Sequence, residues 1–330
     1  MEDTVNARTQ LIRFSAIWLA IFVICSILSA FAYAEADATP GDTEAEQTTQ
    51  KNDKAPHKKP VMDPLSSTPD TPPATEPGTE PEAPSVSPYD SLIYSDENAS
   101  IFIFLDAGHG WNDPGVPVRL TKDGEYVYEK KDADGKILKD ENGNTIYITE
   151  SGTIVTEEDF EYILEKDINL AITQKIKKAL EKMGYRVGET RPSDNPEDCP
   201  VPLKSNGIYS AQDRPPYVNS QNPDYFVSIH CNSLEDNPTV KGTRIYHRES
   251  SSASLKLASM IMSALSAEMG METKRHTANY AITRLSNMPT VLIESGFITN
   301  HDDLKMLTDP EWQDQFACAI ALGLHAMAHS

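Results

Sequence analysis

Ile101-Phe102-Ile103-Phe104-Leu105-Asp106-Ala107-Gly108-His109-Gly110 is the stretch from which the fold of this 330-residue chain is read. Five consecutive apolar residues, stopped by an aspartate and a histidine between two glycines, describe a strand buried on both faces, as in the interior of an α/β sheet. Downstream, Ile168, Ile172, Ile176, Ala179, Leu180 and Met183 recur at helical spacing, and Gly184 stands where such a helix would end. Residues 185–190, 225–230, 242–247 and 289–294 read as further strands, and 255–269 and 310–328 as further helices. Strands alternating with helices predict a single α/β domain over residues 99–330, with a central, mostly parallel sheet flanked by helices on both faces. A chain of that length is ample for one hydrophobic core.

Residues 122–151 break the alternation. Asp123-Gly124, Asp134-Gly135 and Asn142-Gly143 separate short runs such as Tyr126-Val127-Tyr128 and Thr145-Ile146-Tyr147-Ile148. These are hairpin turn signals, so one or two β-hairpins are expected as an insertion after the first strand, at about residues 120–155. Such an insertion either shapes a substrate groove or is a surface ornament.

Toward the N-terminus, residues 14–34 carry no charged side chain, follow Arg8 and Arg13, and end in Ala32-Tyr33-Ala34. That pattern fits a cleaved secretory signal peptide. It is also long enough for a membrane anchor with its N-terminus inside. Both readings export the rest of the chain, either secreted or tethered to the membrane. Cys25 follows bulky Ile24 and lacks the small neighbour that lipidation requires, so it belongs to the apolar run. Residues 35–98 hold 11 of the 23 prolines and 14 acidic against 4 basic side chains, the composition of a disordered acidic linker. The formal net charge of −21 argues against nucleic acid as a partner. Nearly half of that excess lies in the linker, so it describes a solvated spacer more than a substrate. Cys199, Cys231 and Cys318 are odd in number and their spacing suggests neither a stapled framework nor a cysteine metal site.

The chemistry-bearing residues sit at strand ends. The first strand leads into His109, the third ends in His230 and the late one in Glu294, and in open α/β sheets ligands bind outside the carboxyl ends of the strands. Glu165 opens the 168–183 helix. Two histidines and one carboxylate suffice for a catalytic zinc that keeps a fourth position open. Each residue alone has an ordinary reading: a hydrogen-bonded loop histidine, or a glutamate complementing a helix dipole. Their joint placement at the ends of separate strands raises the metal reading above those.

Four ordered motifs carry a resemblance: Asp106-Ala-Gly-His109-Gly, Glu165-Lys-Asp-Ile-Asn-Leu170, Ser228-Ile-His230-Cys-Asn232, and Pro289-Thr-Val-Leu-Ile-Glu294-Ser-Gly-Phe-Ile-Thr-Asn300. Thr190-Arg191, and Arg214 with Asn219, fit beside them. Together they resemble the zinc-dependent N-acetylmuramoyl-L-alanine amidases of type 3, over residues 100–328. The resemblance implies one Zn²⁺ held by His109, Glu165 and His230, Glu294 as catalytic carboxylate, peptidoglycan as substrate, and a twisted central sheet. Arg214 and Asn232 are expected to donate hydrogen bonds to the substrate or the oxyanion, beside the alternative readings of a structural ion pair for the arginine and a strand cap for Asn232. His276 is expected to line the groove. Two departures stand out. The insertion lengthens the gap from His109 to Glu165, which leaves Glu161 as a second candidate for the carboxylate ligand. Cys231 replaces a smaller residue and should point away from His230. Two other activities fit the same export and residues: a zinc carboxypeptidase or peptidase acting on wall peptides, and a peptidoglycan-binding domain without catalysis.

Overall fold

The computed structural model describes residues 87–201 and 210–330. The expectations for residues 1–34, and for the linker up to residue 86, lie outside the described residues. In chain order the strands are β1 (Phe102–Ala107), β2 (Pro117–Thr121), β3 (Val127–Glu129), β4 (Tyr147–Thr149), β5 (Ile154–Val155), β6 (Phe160–Leu164), β7 (Arg186–Glu189), β8 (Tyr225–Asn232), β9 (Arg244–His247), β10 (Lys274–Thr277) and β11 (Thr290–Phe297). The helices are α1 (Glu165–Lys182), α2 (Arg214–Gln221), α3 (Ser252–Met269), α4 (Ala281–Leu285), α5 (His301–Thr308) and α6 (Pro310–Ala328).

Six strands form the central sheet in the order β10-β9-β11-β8-β1-β7. All neighbours pair in parallel except β9 with β11, so the sheet is mixed at one edge. The continuous apolar runs expected of doubly covered strands have their cause in the layers on either side. On one face α1, α3 and α6 pack around Ile103, Leu105, Ile229 and Ile293, which are fully buried. On the other face α2 and α4 bring Val218 and Ile282 against Phe104 and Phe226. Strand alternation then sorts the site. Ser228, His230 and Glu294 share the second face with Phe226, whereas Cys231 points into the first core, away from His230.

The insertion is larger than one hairpin. β2 and β6 form an antiparallel ribbon whose last strand runs straight into α1, and β3-β4-β5 make a three-stranded sheet beyond it. Gly124, Gly135 and Gly143 take positive φ at the predicted turns. Val118 and Tyr126 are buried in the main core, and the Tyr126 hydroxyl donates to Ile298 O at 2.9 Å. The insertion is therefore packed onto the sheet domain.

Order begins earlier than the linker reading expected. Pro88–Ser91 and Asp96–Ser100 are short 3₁₀ turns, and Tyr89, Leu92 and Asn98 are buried. Tyr89 donates to Asp314 Oδ1 at 2.8 Å, and the Lys178 ammonium lies 3.9 Å from the centre of its ring. Two apolar anchors in a proline- and acid-rich run are too sparse to register as a folded segment. Helix α2, which is not among the expected elements, opens on Pro215-Pro216. The prolines occupy its first turn, where their missing N–H groups cost nothing. None of Cys199, Cys231 and Cys318 is in a disulfide.

Candidate metal centre

The turn after β1 is held in an unusual shape. His109 has φ 62° and Trp111 φ 51°, a region that costs a non-glycine residue about 1–3 kcal/mol and that persists only where neighbours enforce it. Two buried arginines do so. Arg191 donates to Ala107 O (3.2 Å) and Gly108 O (3.1 Å), and Arg214 to Ala107 O (2.7 Å) and His109 O (2.6 Å). Arg214 also pairs with fully buried Asp106 at 2.6 Å. Arg214 is 3% exposed, and its guanidinium faces the backbone it holds and the Asp106 carboxylate, the ion-pair arrangement that was one of its two readings.

Burial would raise the Asp106 carboxyl, but Arg214 together with hydroxyls of Ser228 and Thr190 carries it from 3.8 down to about 2. A depressed carboxyl stabilises the fold above its unfolded value, and that contribution is lost as pH falls through about 2. Replacing Arg214 by methionine leaves Asp106 as an uncompensated buried charge. The expected loss is about 3–5 kcal/mol in denaturant unfolding; a loss within about 0.5 kcal/mol, typical of a surface change, would contradict the clamp.

The turn delivers His109 to Glu165 and His230. Glu165 Oε1 lies 3.2 Å from both His109 Nε2 and His230 Nδ1, and the imidazole centres are 5.0 Å apart. Ligand atoms of all three residues fall within 4.8 Å of one another. The other side of each ring or carboxylate is fixed. Asp113 Oδ2 meets His109 Nδ1 at 2.9 Å, and Glu165 Oε2 accepts from Val116 N at 3.0 Å. Glu165 Oε1 accepts from Cys231 N (3.1 Å) and from Asn169 Nδ2 (3.2 Å). Burial would raise the Glu165 carboxyl, yet the two imidazoles hold it well below the usual carboxylate range. For His109, Glu165 and Asp113 outweigh the lowering effect of burial, so its pKa is raised.

Glycines make the approach feasible. A Cβ on Gly108 would lie 2.3 Å from the His230 ring, and one on Gly115 2.6 Å from Glu165 Oε2 and 2.9 Å from His109. Glu161, the second candidate, is exposed on β6 and faces solvent.

Glu294 is the cross-strand neighbour of His230 on one side and Arg244 on the other. Its Oε2 is buried and has no hydrogen-bond partner among the described residues. Burial raises its pKa, with Glu165 adding and His230, His109 and Arg244 opposing. A second carboxylate therefore stands beside the cluster without joining it. Asn232 sits half-exposed at the end of β8, its Oδ1 accepting from Ser233 N at 2.8 Å. His276 is exposed on edge strand β10, stacked on Tyr246 with centroids 5.3 Å apart.

Sequence reasoning missed three neighbours of the cluster. Asp113 and Asn169 each lie four residues beyond a chemistry-bearing residue, and that spacing was a usable signal. Arg244 had none, because only the antiparallel pairing of β9 with β11 brings it to Glu294.

Two imidazoles and a carboxylate converge outside the carboxyl ends of an α/β sheet, beside a further carboxylate, the donor set found in metal-dependent hydrolases. The family profile Amidase_3, N-acetylmuramoyl-L-alanine amidase, matches residues 103–326, and the chain belongs to that family. It is 32% identical over 162 residues to N-acetylmuramoyl-L-alanine amidase LytC of Bacillus subtilis, a match covering 48% of this chain and 30% of LytC. Against the germination-specific N-acetylmuramoyl-L-alanine amidase of the same organism the identity is 27%, covering 49% of this chain and 70% of the relative. The match thus spans less than a third of the first relative and over two thirds of the second. The crystal structure of an N-acetylmuramoyl-L-alanine amidase from Clostridium difficile 630 superposes with a TM-score of 0.51 at 25% identity, covering 71% of this chain and 98% of that one. Among the described residues no helix is long and apolar enough to cross a membrane.

Proposed function

We propose that the protein hydrolyses the amide bond between N-acetylmuramic acid and the L-alanine of the peptidoglycan stem, with one Zn²⁺ held by His109, Glu165 and His230. The observation that carries this reading is the meeting of one buried carboxylate oxygen with two imidazole nitrogens at 3.2 Å each. Zinc ligands at ~2.0–2.1 Å in a tetrahedron are separated by about 3.3 Å; two of the three donor pairs stand at that spacing and all three donors lie within 4.8 Å of one another. When bound, zinc supplies Lewis-acid polarisation of the scissile carbonyl and a water of lowered pKa.

The chain's own residues do the rest. Glu165 stays charged, and the Asp113 carboxylate fixes Nδ1 of His109 as the protonated nitrogen, leaving Nε2 to face the site. Glu294 takes the proton of the attacking water on its unpartnered Oε2 and passes it to the departing L-alanine nitrogen. A carboxyl raised by burial is the better proton donor in that second step. Asn232, at the rim, is assigned to a substrate hydrogen bond. The same reading places the enzyme outside the cytoplasm, delivered by residues 14–34 as signal peptide or tether.

Mass spectrometry of digested peptidoglycan tests the bond. Stem peptides with a free L-alanine amine are expected; stems trimmed at their far end would mean a peptidase, and unaltered peptidoglycan a binding domain. Replacing Asp113 by alanine is expected to weaken zinc binding by about 10- to 100-fold, the usual effect of losing an outer partner of a metal-bound histidine. Competition with a chelator of known affinity reads that value, and unchanged affinity would remove Asp113 from the site.

A further inference from the structure

We propose that the insertion forms one wall of a groove for the charged stem peptide on the leaving side of the scissile bond; this rests on the amidase reading above. The groove touches the cluster through Val116, which lines it and whose N–H binds Glu165. The rest of its lining comes from the insertion and from the chain that follows β8 and β11, the strands that carry His230 and Glu294. Its volume of about 320 Å³ falls at the low end of ligand clefts, ~300–1,000 Å³.

The wall is fixed in place. Besides the bond from Tyr126 to Ile298, the Tyr126 ring lies 4.3 Å from His301, whose Nε2 meets Glu150 of the insertion at 2.8 Å. A surface ornament would have no need of these ties. Of the charged residues that line it, Arg119 and Glu129 on the insertion side pair with each other at 3.5 Å, which leaves Lys131 on that side and Glu235 and Asp236 on the core side. Among the described residues none of these three is in an ion pair. They are exposed and unspent, ready for a ligand that brings its own carboxylate and its own ammonium.

The two halves of the substrate differ in this respect. The amino sugars of the glycan are acetylated and the lactyl group is tied up in the amide, so that half is neutral. The peptide half carries carboxylates and, where a diamino acid is present, an ammonium. Charge therefore assigns the groove to the peptide.

The test compares kcat/KM of the zinc-loaded full chain on two soluble substrates. One is N-acetylmuramoyl tripeptide ending in a diamino acid; the other is N-acetylmuramoyl-L-alanine methylamide, which lacks the charged residues. The tripeptide is expected to be favoured by roughly fivefold to tenfold through KM, the modest gain of solvent-exposed charge pairs. The triple variant Lys131→Ala, Glu235→Ala, Asp236→Ala should bring the ratio toward one. A ratio of one in the wild type, or the same ratio in the variant as in the wild type, overturns the groove. Cleavage of neither substrate overturns the amidase reading, and the groove with it.

Discussion

Exchange of Glu294 for glutamine is expected to lower amide cleavage by about 10²–10⁴-fold, the range of general acid–base contributions, with zinc still bound at one equivalent. Glutamine keeps the volume and a carbonyl oxygen, so packing between β8 and β9 should be retained. What it loses is the ability to hold a proton between attack and departure. Glu294 lies beside the cluster rather than in it, and its buried Oε2 has no other hydrogen-bonding duty among the described residues. The loss should fall on kcat with KM little changed, because the role belongs to the transition state. A Glu294→Gln enzyme with wild-type kcat would place the proton transfer elsewhere, and a variant that lost its zinc would make Glu294 a ligand.

His230→Ala should produce the opposite pattern. The variant keeps the proposed proton carrier and loses one of the three proposed ligands, so zinc affinity is expected to fall by well over the 10–100-fold caused by an outer-partner change. Activity at limiting zinc should fall with it and recover in part at high zinc. The variant also leaves Glu165 with one imidazole fewer to hold its carboxyl down, although burial remains. Chelator competition reads the affinity, and kcat at saturating zinc reads the chemistry that remains. Zinc affinity equal to that of the wild type would show that His230 is not a ligand.

The sheet and its main face were legible because burial on both sides demands continuous apolar runs, and Ile101–Leu105 and the strand ending at Glu294 have them. The carboxyl-end rule then brings His109, His230 and Glu294 to one region. Glu165 was harder. A long insertion separates it from His109, and only the ribbon of β2 with β6 reveals that the chain returns to the start of α1 beside the same cluster. Arg214 had two readings because an arginine near a site looks the same in sequence whether it faces a ligand or a backbone carbonyl. Its direction is set by Asp106 and by the left-handed His109 turn, neither of which has a sequence periodicity. The 3₁₀ turns at 88–100 and edge strand β10 were invisible for a related reason. Tyr89 and Leu92 are isolated anchors, and all four residues of β10 are exposed, so no apolar pattern marks either segment.

Titrating zinc into the metal-stripped protein, while following release of stem peptides from peptidoglycan, tests the two-imidazole, one-carboxylate centre most directly. Cleavage should be absent without metal, rise linearly, and break at one equivalent per chain. Undiminished cleavage by the stripped protein, or a break at two equivalents, would contradict it.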